Sequence, residues 1–188
     1  SAFDGDWSYE SPLSDPACAD WCTTEGTGDV NFDGFLNVMD IVLVVGDIIT
    51  PMWAVDSCEY MSAEVSGDGI MNVLDIVLII NNILNPTREA NATSATLMKS
   101  DNAVTLEADG FVGGVQMMLT HDSDFAIELT DNAMVADYAT AGNTTRLVIV
   151  APESEELFTF SGEFEVAEVI VASSDSSVDV GIGTPTEF

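Results

Sequence analysis

Basic residues are nearly missing. Arg88, Lys99 and Arg146 stand against 33 aspartates and glutamates, for a net charge of −30. So acidic a chain repels phosphate backbones and anionic membrane surfaces, which excludes nucleic acid as a partner. It suits divalent cations, or a saline medium whose short Debye length screens self-repulsion. No apolar run reaches the roughly 18 residues that a spanning helix needs, so membrane insertion is not expected. The first thirty residues lack the basic flank and apolar core of a signal peptide, and the chain reads as mature and already processed. With His121 as the single histidine, any nucleophile–base pair would hang on that residue. Its setting "LTHDSDF" reads as a strand end and a turn, where a solvated or hydrogen-bonded structural histidine is expected. Glu153, Glu155 and Glu156 read as a solvated acidic loop. No catalytic residue is assigned, and the chain is not expected to be an enzyme. Cysteine is also scarce: Cys18, Cys22 and Cys58 lack a fourth ligand at zinc spacing. They allow one bridge, from Cys58 to Cys18 or to Cys22, or three buried small hydrophobes.

What is present divides by composition. Residues 1–27 are turn-rich with scattered aromatics, an irregular lead-in. Residues 28–85 contain a repeat, residues 86–94 ("PTREANATS") are a polar linker, and residues 95–188 alternate apolar with polar. Asp40-Ile-Val-Leu superposes on Asp75-Ile-Val-Leu at an offset of 35 residues, bringing Asn37 onto Asn72, Gly34 onto Gly69 and Asp33 onto Asp68. In the last region the strand candidates are "ATLMKS", "AVTLEA", "GGVQMMLTH", "FAIELT", "MVADYA", "RLVIVA", "LFTFSGEFEVAEVIVA" and "VDVGI", separated by Asp, Asn, Gly and Ser clusters. That spacing predicts an antiparallel β-sandwich, with Gly162 at a bulge or turn.

The repeat carries the chemistry. A twelve-residue calcium loop takes oxygens from positions 1, 3, 5, 7, 9 and 12, with Gly at position 6 for the turn. Counting from Asp29 gives Asp29, Asn31, Asp33, the carbonyl of Phe35, Asn37 (directly or through water) and Asp40, with Gly34 in the sixth place. Counting from Glu64 gives Glu64, Ser66, Asp68, the carbonyl of Ile70, Asn72 and Asp75, with Gly69 in the sixth. Glu64 is one methylene too long for the tight start of such a loop, and Ser66 supplies a neutral hydroxyl. Two Ca2+ sites are expected, the second weaker. Position 12 lies in the first turn of an exiting helix, so "IVLVV" and "IVLII" are expected as helices over 41–49 and 76–84, although β-branched residues favour strands.

"DVNFDGFLNVMDIVLVVGDII" and "EVSGDGIMNVLDIVLIINNIL" resemble the duplicated loop–helix segments of type I dockerins, calcium-folded modules that plug into cohesin domains. The fold class implied is α+β in two modules: a small duplicated loop–helix calcium module, dockerin-like, over 28–85, followed by the sandwich. Residues 95–188, with a Gly-Gly-x-Gln entering a central strand, are similar to the strand pattern of cohesin-like sandwiches. At loop positions 10 and 11, where dockerins often carry polar recognition residues, this chain has Val38-Met39 and Val73-Leu74. Together with Val42, Val45, Ile49, Val77 and Ile80 they are the expected partner-binding residues, because two packed helices hide one apolar stripe each and leave a second face wet. The competing expectation is that this face packs on the chain's own lead-in or C-terminal domain.

The function expected is therefore a calcium-dependent extracellular assembly protein, secreted or at the cell surface of a marine or saline bacterium. The repeat of one copy would dock on the sandwich of the next to make a head-to-tail filament or surface layer. The alternative is an anchoring module for a cohesin-like domain on a separate scaffold protein.

Overall fold

Two asparagines start the two long helices. In the computed structural model, which describes residues 22, 25–84 and 90–183, α1 runs over Val38–Ile49, α2 over Cys58–Ala63 and α3 over Val73–Leu84. The side chain of Asn37 accepts the N–H of Met39 at 2.8 Å, and Asp40 accepts the N–H of Asn37 at 2.9 Å, a capping box. Asn72 and Asp75 repeat both bonds, to Leu74 and Asn72, at 2.8 Å each. These caps override the strand preference of the valines and isoleucines that follow. The helices begin three residues earlier than expected, because loop positions 10 to 12 are already helical.

The second loop is preceded by a helix, which the sequence pattern did not reveal. Six residues of α2 are too few to show a period, and its start is marked only by Ser57, whose hydroxyl accepts the N–H of Tyr60 at 3.2 Å. Cys58 opens α2 and is bridged to Cys22, with Cα atoms 5.3 Å apart. Cys18 and most of the lead-in lie outside the described residues, as do residues 85–89, the end of the repeat and the start of the linker.

Nine strands follow: β1 Ser94–Lys99, β2 Ala103–Ala108, β3 Gly114–His121, β4 Ala126–Leu129, β5 Ala133–Ala141, β6 Thr144–Pro152, β7 Glu156–Ser161, β8 Phe164–Ala172 and β9 Ser177–Gly183. Their order is β4-β7-β2-β1-β9-β8-β3-β6-β5. The strands fold into two layers around Leu97, Val104, Leu106, Val115, Met117, Leu119, Leu147, Ile149, Leu157 and Phe158. The pairing departs from the expected antiparallel pattern at one place. β9 lies parallel to β1 and antiparallel to β8, and so joins the two layers. The long stretch 157–172 is two strands, β7 in one layer and β8 in the other. Gly162 turns between them at φ +81°, where a Cβ would lie 2.9 Å from the Cα of Phe125.

The helices sit on the outer face of β8-β3-β6-β5: α1 against β5 and β6, α3 against β3, β6 and β8. This explains why "LVIV" in β6 does not alternate. Leu147 and Ile149 point into the core between the layers, while Val148 and Val150 join the cluster formed by Ile41, Val44, Val45, Ile76, Ile79 and Ile80. A strand covered on both faces is apolar at every position. The module and the sandwich, separated by composition, thus share a hydrophobic core.

Because the Cys22–Cys58 bridge closes a loop of 36 residues, chain entropy predicts that Cys58→Ser destabilises the protein by about 2–4 kcal/mol. Guanidinium unfolding followed by circular dichroism, in oxidising buffer, measures it; an unchanged midpoint would contradict the assignment.

Candidate functional site: two repeated loops and the surface they orient

The two loops have the same backbone. Position 6 is left-handed in both, Gly34 at φ +84° and Gly69 at +82°, and a Cβ added at either would meet nothing within 4 Å, so glycine is needed there for conformation and not for space. Position 4 is left-handed as well, as Phe32 at φ +57° in one loop and Gly67 at +77° in the other.

Short polar side chains brace each turn. In loop one Asp29 accepts the N–H of Gly34 at 3.0 Å, Asn31 that of Asp33 at 2.9 Å, and Asp33 that of Phe35 at 2.8 Å. The Nδ2 of Asn37 donates to the carbonyl of Phe35 at 3.0 Å. Asp40, fully buried, accepts from Val30 at 3.1 Å through one carboxylate oxygen and from Asn37 through the other. In loop two Asp68 accepts the N–H of Ile70 at 2.7 Å, and Asn72 donates to the carbonyl of Ile70 at 3.0 Å. Asp75 accepts from Val65 and Ser66, at 2.9 Å each.

The loops differ at position 1. Asp29 reaches the amide of the sixth residue, whereas the longer Glu64 swings over the loop to take the hydroxyl of Ser66 at 2.9 Å and the amides of Gly67 and Asp68 at 2.7 and 3.0 Å. The extra methylene thus draws Glu64 away from the place that Asp29 occupies.

The donor set fits a hard cation, being oxygen throughout. In loop one Asp29 Oδ1 is buried with no hydrogen-bond partner, and a bare buried carboxylate oxygen is costly unless a cation or donor faces it. In loop two burial pushes the Asp75 carboxyl above the ordinary carboxylate range, ahead of the lowering effect of the Asn72, Ser66 and Val65 hydrogen bonds. Above that raised value the ionised form is a net cost to the fold, of the kind that a facing cation offsets. The position-12 carboxylates are turned to the loops' own amides. Among the described residues no three carboxylate, imidazole or thiol side chains converge into a metal-holding group.

The expected partner face is divided. Val45, Ile49, Val73, Leu74, Val77 and Ile80 are buried within this chain, and only Val38, Met39 and Val42 are exposed. For the first six the expectation of a free surface is corrected: Val73, Leu74, Val77 and Ile80 lie on α3, which packs against β3, β6 and β8, and Val45 and Ile49 of α1 lie in the same cluster. The seat has specific features. Val73 and Val77 rest on Gly114 and Gly113, where added Cβ atoms would come within 2.5 and 2.6 Å of them. The N–H of Val73 donates to Gln116 Oε1 on β3 at 3.0 Å, and Asn81 Nδ2 donates to the carbonyl of Ser174. The Gly-Gly-x-Gln pattern was visible in the sequence, but nothing in it identified the helix that would lie there.

His121 closes β3 with both ring nitrogens engaged, Nδ1 with the carbonyl of Asp122 and Nε2 with Thr145 Oγ1, each at 2.8 Å. A carbonyl only accepts, so Nδ1 carries the proton in this bond. The ring stacks on Phe125 at 4.4 Å.

Asp40→Ala strands three amide donors and is expected to cost about 3 kcal/mol or more, against about 1 kcal/mol for Glu64→Ala, whose amide partners are exposed. Urea unfolding of both variants in excess chelator checks this; equal costs would contradict the role given to Asp40.

No family model and no curated protein matches this chain. Two solved structures are similar to it. One is a non-cellulosomal cohesin from the hyperthermophilic archaeon Archaeoglobus fulgidus, 20% identical, covering 51% of this chain and 86% of its own, with a TM-score of 0.33. The other is a cohesin module from the family 33 glycoside hydrolase of Clostridium perfringens ATCC13124, 8% identical, covering 51% of this chain and 97% of its own, with a TM-score of 0.29.

Proposed function

We propose that this chain is a calcium-ordered, extracellular assembly protein in which a duplicated loop–helix unit, dockerin-like in its loop pattern, docks on a β-sandwich. The observation that carries the reading is the seat of α3: two valines on two glycines, flanked by side-chain hydrogen bonds at Gln116 and Ser174. Such an apolar, shape-matched contact between differently built units has the anatomy of a protein–protein interface. Here the contact is made within one chain. The same contact made between chains joins unlike surfaces, so each copy offers one of each and the association does not close on itself. Head-to-tail chains of copies follow. Calcium contributes by ordering the loops from which α1 and α3 start, and no catalytic step is assigned. The Cys22–Cys58 bridge supports an oxidising, extracytoplasmic location, and the net charge of −30 suits a saline one.

A second reading, an anchoring module for a cohesin-like domain on another protein, is favoured by exposed Val38, Met39 and Val42, the repeat counterparts of the docked Val73, Leu74 and Val77.

Docking within a chain competes at an effective concentration of about millimolar, so chains of copies are expected at high protein concentration with calcium present. Light scattering and negative-stain electron microscopy, with calcium and after chelation, check this. Monomers under every condition would refute assembly, and chains indifferent to chelator would refute its calcium dependence. Capture of a distinct cohesin-bearing partner without self-association would favour the second reading.

A further inference from the structure

We infer that calcium binding at loop two is thermodynamically coupled to the seating of α3 on the sandwich, whereas binding at loop one is independent of it. The inference rests on the calcium reading proposed above and adds an asymmetry between the two sites. The repeat itself supplies the comparison. Val73, Leu74 and Val77 are 0%, 8% and 1% exposed, while their counterparts Val38, Met39 and Val42 are 59%, 54% and 50% exposed. Asn72, which caps α3, is buried, whereas Asn37 is partly open. Two loops with the same backbone course thus meet opposite surroundings: the helix that leaves loop two is clamped by β3 from its first residue, and the start of the helix that leaves loop one faces solvent.

The coupling has a structural route of one residue. Val73 follows ligand position 9 and precedes position 12 of loop two. Its N–H is one of the first-turn donors that a helix cannot satisfy internally, and Gln116 satisfies it from the sandwich. Its side chain sits on Gly114. Seating α3 therefore fixes the backbone between Asn72 and Asp75, and fixing that backbone is also what ordering loop two requires. When one event has already met the ordering cost of another, the two are positively cooperative, and reciprocally so. Loop two is where this matters, since Glu64 and Ser66 leave it with the poorer ligand set. Loop one is bound to its surroundings from the other side: Asp29, through its carbonyl, accepts the hydroxyl of Ser62 at 2.8 Å, a contact internal to the helical unit.

The test is calorimetric titration of calcium into the full chain. Asp33→Ala leaves loop two as the reporting site, and Asp68→Ala leaves loop one. Into each background Gly114→Val, which drives a side chain into Val73, and Gln116→Ala, which removes only the acceptor of the Val73 N–H, are introduced separately. Loop-two affinity should fall about tenfold or more with Gly114→Val, within the usual span of coupling between sites. It should fall about threefold with Gln116→Ala, the effect of one neutral hydrogen bond. Loop-one affinity should stay the same. If Gly114→Val fails to fold, Gln116→Ala carries the comparison alone, because it leaves the apolar seat intact. Equal responses of the two loops, or none in either, would overturn the coupling while leaving calcium binding in place. A parent chain that takes up no calcium would overturn the calcium reading itself.

Discussion

Everything in this fold depends on a sheet that is apolar on both faces. β6 buries four consecutive residues, Leu147, Val148, Ile149 and Val150, and only two of them point between the layers. The outward pair, with Ala172 and partly buried Val135 and Ile170, would form an exposed apolar patch if nothing lay over it. The repeat has the matching problem, because two helices packed on each other cannot hide helices that are apolar nearly all round. Each unit solves the other's difficulty. Glycines at 113 and 114 let α3 approach the backbone of β3 closely enough that Val73 and Val77 fill the space where side chains would otherwise stand.

The repeat also shows how a polar loop and an apolar helix become one device. Asp40 and Asp75 are fully buried, yet neither is an isolated charge: each carboxylate gathers amides from the start of its loop and from the helix cap. They tie position 12 to positions 2 and 9, and so determine where the helix begins. Around them lies a surface with almost no cations; Lys99, near Glu163 at 3.7 Å and over the Phe164 ring at 4.2 Å, makes the one ion pair seen among the described residues. Carboxylates in such a setting repel one another, which is the physical ground for the calcium reading proposed above.

Much of this was legible in the sequence. The offset of 35 residues, the turn glycine at position 6 and most of the strands follow from spacing and alternation, which are local properties; the side chains at positions 3, 5 and 9, expected as calcium ligands, are found bracing the loop's own backbone. What was not legible is long-range. The parallel pairing of β1 with β9 brings together the two ends of the sandwich, and no local pattern encodes it. The division of 157–172 between two layers hinges on Gly162, whose role as turn or bulge depends on where the next strand finds its partner. α2 is too short to have a period. The burial of Val73, Leu74 and Val77 against the exposure of Val38, Met39 and Val42 could not be foreseen, because near-identical sequences were bound to receive the same expectation. Only the surroundings tell them apart.

That inequality bears on how a duplicated unit is used. If the repeat were only an ion-binding device, its halves would be free to face solvent alike, and nothing would require β3 to carry two glycines and a glutamine at its entry. Instead one helix is committed to the sandwich from its first residue, while the start of the other keeps Val38, Met39 and Val42, three apolar side chains, in water at a cost of about 1–2 kcal/mol each compared with burial. Those exposed side chains are adjacent to the covered ones: Val38 lines an apolar recess with Ile41, Ile80, Ile83, Leu84 and Met134. The committed face continues directly into the open one. In the assembly proposed above, that open face is where burial of apolar surface would offset the repulsion of a neighbour carrying the same net charge of −30.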